Sequence, residues 1–262
     1  LTLVFGVLHV INFAHGEVFM VGALTALLAT RAGVPYAMAL PLALVAGVVL
    51  GIALDWVCVR PLLARGGDKT EVLLSTFAAS ILVYEGVLLG YGSEPAEVSG
   101  VNGLLSLGPV VLSWQRIFIL ATGIVVLVAL EQVLKRTRFG VQMRAVAQNP
   151  FAASVVGIRL RRINSVTFVL AAAIAALAGA LLAPAIFFSP GMGQAIMIKA
   201  FVVVVMGGLG SVRGAVIFGL LLGVFEALAG GFLSEGFAAV AVYALMLVTL
   251  LVRPTGLMGK AA

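Results

Sequence analysis

The amino-acid sequence predicts an all-α, polytopic transmembrane helical bundle of about eight crossings that follow a truncated N-terminal span. Three observations predict it. Of the 262 residues, 63% are apolar and only 10% charged, with mean hydropathy +1.23; a soluble domain carries about 45–50% apolar and about 25% charged residues. The apolar residues form long continuous runs such as LALVAGVVLGIAL at 42–54, not the ten-residue alternation of an outer-membrane barrel. A segment in lipid must satisfy its own backbone, so such runs are helical. Lys and Arg, finally, gather between the runs rather than within them.

The elements follow in order. Residues 1–11 (LTLVFGVLHVI) read as the tail of a span that has lost its beginning, and the chain starts at Leu1 rather than Met, with no cleavable leader to be read. Eight segments follow at 16–30, 35–57, 72–91, 114–134, 163–188, 195–210, 215–230 and 237–252. The first is interrupted by the polar cluster Asn12, His15, Gly16 and Glu17, where Gly16 permits a helix break and side chains cap the freed backbone. Another interruption, Gly207, Gly208, Gly210 and Gly214, separates the sixth segment from the seventh. Paired interruptions of this kind can mark a substrate path or hinge in transporters. Glycines four residues apart (Gly47 and Gly51, Gly86 and Gly90, Gly219 and Gly223) offer close helix packing, although 31 glycines also produce such pairs by chance.

Orientation follows from basic residues, which are in excess in short cytoplasmic loops. Residues 135–162 hold Lys135, Arg136, Arg138, Arg144, Arg159, Arg161 and Arg162 with no acid, and are assigned to the cytoplasm. Counting crossings places Arg60, Arg65, Lys69, Arg213, Arg253 and Lys260 on the same side, with a cytoplasmic C-terminus, while 92–113, with Glu94 and Glu97 and no base, falls outside. Arg31 and Arg116 are the exceptions. Within 135–162, Asn149 and Pro150 start a short helix over about 151–156 that Gly157 can end. Ala152 and Ala153 are expected on its exposed face, suited to close protein contact; a basic loop that only sets topology and touches anionic lipid heads is the equal alternative.

Charge inside apolar segments is costly and is tied to protein or water. Lys199 and Glu226 are read as a candidate intramembrane ion pair between neighbouring helices, with a substrate or gating role as the second possibility. Glu85, Asp55 and Glu131 lie toward span ends, where snorkelling to water is expected.

Several classes are excluded. No segment can hold a separate aqueous catalytic domain, and the net charge of +6 is explained by topology rather than nucleic-acid binding. The single Cys58 rules out a disulfide within the chain and cysteine-based metal frameworks. GGLGSVRGA at 207–215 lacks the Lys-Ser/Thr ending of a phosphate-binding loop, so the chain is not its own ATPase. Two histidines, no HExxH and no GxSxG leave no catalytic set, no metal site and no cofactor site.

Six pieces of sequence then carry a resemblance. They are FGVLHVINFAHGEVFMVGA (5–23), VRPL (59–62), RTRFGVQMRAVAQNPFAASVVGI (136–158), TFVLAAAIAALAGALLAP (167–184), KAFVVVVMGGLGSVRGAVIFGLLLGVFEAL (199–228) and LLVRPTGLMG (250–259). In this order and spacing the chain resembles the permease subunits of bacterial ABC importers for branched-chain amino acids. The resemblance implies one permease domain over 1–262 in the bacterial inner membrane, working by alternating access and not an enzyme. It implies ABC ATPase subunits, a second permease subunit, identical or homologous, and an extracytoplasmic substrate-binding protein. It makes 135–162 a coupling loop, with Phe151, Ala152, Ala153 and Gly157 meeting the ATPase; Phe151 stands where the family often has an acid. Candidate path or hinge residues are Asn12, His15, Gly16, Glu17, Gly207, Gly208 and Gly210. The competing reading is a solitary ion-coupled transporter or channel, for which Glu226, Lys199 and His15 would be the coupling groups.

Overall fold

The structure is a computed structural model that describes residues 1–107, 110–232 and 235–252. Twelve helices occur among the described residues: α1 (Thr2–Leu8), α2 (His15–Arg31), α3 (Tyr36–Leu54), α4 (Arg60–Ala64), α5 (Lys69–Tyr91), α6 (Trp114–Arg136), α7 (Arg138–Gln148), α8 (Pro150–Val155), α9 (Leu160–Ile186), α10 (Met192–Gly207), α11 (Val212–Phe232) and α12 (Glu235–Val252). Each of the eight expected segments is a helix. Among the described residues, five stretches are long and apolar enough to cross a membrane: Tyr36–Ala64, Lys69–Tyr91, Trp114–Arg136, Leu160–Ile186 and Val212–Phe232. Helices α2 and α10, with 17 and 16 residues, reach about 26 and 24 Å, short of a hydrocarbon core of about 30 Å. The sequence did not foretell an antiparallel hairpin of β1 (Leu104–Leu107) and β2 (Val110–Ser113). Arg253 and Lys260, assigned to the cytoplasm above, lie outside the described residues.

The described residues form two compact units, one within 12–195 and one of 1–11 with those from 196 to 252. In the larger, α9 is the helix on which α2 and α3 pack. Lipid removes most of the hydrophobic drive between helices, so close backbone approach must supply attraction. Gly22 lies directly on the Ala176 backbone and Gly179 on the Phe19 carbonyl, leaving no room for a Cβ. An ideal Cβ on Gly47 would meet Ala176 Cβ at 2.5 Å, and one on Gly51 would meet Ala172 Cβ at 2.7 Å. Of the glycine pairs singled out from the sequence, Gly47 and Gly51 therefore pack, whereas Gly86, Gly90 and Gly223 have nothing within 4 Å. Helix α6 buries only Gln115 and Leu130 and exposes Leu120, Ile124, Val125 and Val128, as a lipid-facing helix does.

Pro184 lies inside α9 and removes the N–H that would bond the Ala180 carbonyl. Tyr36 Oη lies 3.1 Å from the Ala180 oxygen, and Gln115 Nε2 donates to the Leu181 oxygen and to Tyr36 Oη, each at 3.0 Å. Past the helix end, Phe188 and Ala96 exchange backbone hydrogen bonds of 2.8 and 2.9 Å, and the buried Phe188 ring meets Tyr91 edge-on at 5.0 Å. Residues 96–103 are thus fastened to the end of α9.

At the other end of α3 the chain widens into a π-helical turn, Asp55–Val59. Asp55 was expected to snorkel; instead it is 3% exposed, 3.9 Å from Arg60 Nε, while the Arg60 guanidinium stacks over Trp56 at 5.5 Å. The extra residue in the turn directs Asp55 inward. Glu131 does reach the surface, paired with Lys135 at 2.5 Å.

The smaller unit has a core of Val202, Met206, Phe218, Leu222 and Val242. Gly207 and Gly214 meet backbone to backbone where α10 turns into α11, and Gly210 lies against Gly6 of α1.

Replacing Gly47 by Leu should destabilise the protein by about 1–3 kcal/mol through overpacking, while Gly86→Leu should leave it within about 0.5 kcal/mol. Thermal unfolding in detergent distinguishes the two, and equal losses would contradict the packing described for α3 on α9.

Candidate functional site

Three groups of residues carry the sequence-predicted roles. In the basic loop, Thr137 caps α7 by accepting from Gly140 N at 3.1 Å, and Arg144 donates to the Leu134 carbonyl, folding α7 back on the end of α6. Helix α7 buries Gly140, Met143 and Val146 at three-residue spacing and leaves its basic side to water. Asn149, extended at φ −153°, accepts from Ala152 N at 3.0 Å, and Pro150 opens α8 without needing an acceptor for a first N–H. Gly157, at φ 84°, closes the helix, with Ile158 N donating to the Ala153 oxygen at 3.0 Å.

The expected exposed face of α8 is corrected in one member. Ala152 is exposed, but Ala153 is 3% exposed and turned inward. The i, i+4 face that meets solvent is Phe151 and Val155, extended by Val156, at 78, 72 and 76% exposure. Phe151, Val155 and Val156 thus form an exposed apolar patch on a capped helix. The signal was present in sequence as Phe151 and Val155 four residues apart, and the small residues beside them drew attention away.

Around the first interruption, α1 ends at His9 in the left-handed conformation, φ 54°, and α2 begins at His15. The break therefore falls at residues 9–14, and Gly16, expected to permit it, is buried within the first turn of α2. Asn12, 2% exposed, accepts from Ala14 N at 3.0 Å. Phe13 N donates to Thr76 Oγ1 at 3.3 Å, and that hydroxyl donates to the Leu73 oxygen at 3.0 Å. Freed backbone groups are thus satisfied by a side chain from the break itself and one from α5. Glu17 is 2% exposed, with Oε2 lacking a hydrogen-bond partner, and faces the first turn of α10 at Gly193.

The second interruption belongs to the other unit. Gly208 and Gly210 have φ of 102° and 83°, and Ser211 Oγ accepts from Gly214 N at 3.1 Å. These glycines make a tight turn between antiparallel helices. In the same unit, Lys199 Nζ contacts Glu226 Oε1 between α10 and α11, with side chains 44 and 36% exposed. Among the described residues no group of His, Cys, Asp and Glu could hold a metal ion.

Sequence reasoning missed Gln115, Thr76 and Gly193. Pro184 within an apolar run announces a carbonyl in need of a donor, and that need is the signal that could have found Gln115 or Tyr36. No such signal existed for Thr76 or Gly193, whose partners are distant in sequence.

Removing the cap with Asn149→Ala should cost the helix about 1 kcal/mol. Hydrogen exchange at the Ala152 and Ala153 amides should accelerate about fivefold at least, and unchanged exchange would contradict the cap.

Residues 1–252 match the family described as branched-chain amino acid transport system / permease component. The chain is 35% identical over 275 residues to the high-affinity branched-chain amino acid transport system permease protein BraD of Pseudomonas aeruginosa, covering 99% of this chain and 89% of that protein. It is 34% identical over 282 residues to LivH of Escherichia coli K12, with the same coverage. A probable branched-chain amino acid transport permease protein LivH of Methanocaldococcus jannaschii is 28% identical over 273 residues, covering 99% and 86%. No solved structure matches significantly.

Proposed function

The chain belongs to the branched-chain amino acid transport system permease family, and from that premise we propose that it is the membrane-spanning subunit of an ATP-driven importer for branched-chain amino acids. The observation that carries the reading is α8, a rigidly capped helix presenting Phe151, Val155 and Val156 to water in a loop with no acid. A subunit with no nucleotide site of its own needs such a surface to receive work done elsewhere. The exposed side chains enter a cleft of a separate ATPase subunit, with Ala152 allowing close approach and Gly157 fixing the chain's exit.

The remaining organisation follows from that role. The chain is one permease domain with residues 135–162 as its coupling loop. It crosses the inner membrane about eight times, α2 and α10 doing so together with the irregular chain beside them, keeps its C-terminus in the cytoplasm, and pairs with a second permease subunit, while an extracytoplasmic binding protein delivers substrate. Closure of the ATPases on ATP moves α8, and α7 and α9 on either side of it carry the displacement into the bundle. Alternating access requires two packings with different openings, and the ligand moves because it binds each differently. Residues 9–17 and 207–214, where helices stop and restart, are the places at which such repacking costs least. Of Lys199, Glu226 and His15, the groups a solitary ion-coupled transporter would need, the first two are engaged with each other.

The test is co-purification and leucine uptake in proteoliposomes holding permease, ATPase and binding protein. The pair Phe151→Ala with Val155→Asp should reduce recovered ATPase and uptake by about tenfold or more, as loss of a buried anchor does, while insertion is retained. Uptake that persists without any ATPase would overturn the proposal.

A further inference from the structure

Glu17 is a carboxylate in the first turn of α2, where the helix dipole favours an acid but supplies its Oε2 with no donor. It is 2% exposed. Buried polar atoms are almost always satisfied, and an ionisable one at membrane depth is expensive unless something compensates it. What faces it is the opening turn of α10. An ideal Cβ on Gly193 would lie 2.7 Å from Glu17 Oε2 and 2.8 Å from the Gly16 carbonyl oxygen. Only glycine lets the start of α10 close onto this carboxylate, and Gly191, two residues before it, has open space beside it.

The two sides of this contact have opposite chemistry. Glu17 Oε2 is an acceptor without a donor, and the Gly16 oxygen, which accepts within α2, keeps a second lone pair; together they suit an ammonium group. A helix start carries outward-pointing N–H groups and partial positive charge, and suits a carboxylate. A simple cation would leave the helix start unused, and a simple anion would be repelled by Glu17. We propose that Glu17, the Gly16 carbonyl and the first turn of α10 form a subsite for the zwitterionic head of a free α-amino acid, occupied when α10 withdraws and closed, as here, by Gly193. The subsite reads the ammonium and carboxylate common to all α-amino acids and ignores the side chain. It rests on the importer reading and assigns to this chain a substrate contact of its own.

The complete assembly in proteoliposomes tests it, with leucine-loaded binding protein outside and ATP inside, by measuring leucine moved per ATP hydrolysed. Glu17→Gln keeps the volume and removes the charge. It should lower that ratio by about tenfold or more, the loss expected for a charge-assisted hydrogen bond, while stimulated hydrolysis continues. A merely structural role would lower uptake and hydrolysis together with assembly, and that result, or an unchanged ratio, overturns the proposal. If Glu17→Gln fails to insert, two other variants decide. Glu17→Asp, which keeps the charge, should hold the ratio within about threefold, and Gly193→Ala, which intrudes on the carboxylate, should depress it; the reverse order overturns the proposal. Failure of the importer reading is distinguishable, because the unaltered assembly would then move no leucine with ATP.

Discussion

The contact on which the larger unit depends is the approach of α2 and α3 to α9 at backbone distance. It is made possible by Gly22, Gly47, Gly51 and Gly179 facing alanines and main chain. In water such a core would be assembled by expelling solvent from large side chains; in lipid that drive is weak, and dispersion over closely matched surfaces replaces it. The alanine-rich middle of α9, with Ala171, Ala172, Ala173, Ala175, Ala176, Ala180 and Ala183 buried, is the complement those glycines require. Large apolar side chains are correspondingly displaced outward, to α5 and α6, where lipid solvates them.

Tight packing through small residues leaves few side chains able to satisfy irregular backbone. The irregular positions are accordingly served by a handful of polar groups placed where needed. Tyr36 and Gln115 answer Pro184, Asn12 and Thr76 answer the break before α2, and Arg60 answers Asp55 at the π-helical turn. These polar residues sit where the helices depart from regularity, whereas others, such as Lys199 and Glu226, lie within regular helix. Glu17 Oε2 is, with Asn164 Oδ1 and Thr167 Oγ1, a buried acceptor without such a duty, and among these three it alone belongs to an ionisable group.

The existence of the eight apolar helices was legible because an apolar run of span length in lipid has one way to satisfy its backbone, whereas α4 and α7, which carry no such run, were not foreseen. Which glycines pack was not. Gly47 with Gly51 and Gly86 with Gly90 are the same pattern in sequence, and only the presence of α9 beside one of them separates the two. The interruption before α2 was visible in Asn12 and His15, but the break falls upstream of Gly16 because His9 takes the left-handed conformation a glycine would usually supply. On α8 both ends were legible from Asn149, Pro150 and Gly157. Its inward face was misjudged, because Ala153 is buried by contacts with α9 and α7 that no local pattern encodes. The Lys199–Glu226 contact was legible because two isolated charges in neighbouring apolar helices have few other ways to be compensated.

The exposed apolar side chains of α8 also bear on how cells must make this protein. If α8 docks on an ATPase as proposed, a fully folded copy lacking that partner leaves Phe151, Val155 and Val156 uncovered, as a misfolded chain displays its interior. Proteolytic and chaperone surveillance recognises that kind of exposure, so on that proposal an unaccompanied copy would carry its own degradation mark. Stoichiometry would then be a matter of survival: synthesis of this chain would have to keep step with synthesis of the ATPase, and surplus copies would be open to removal.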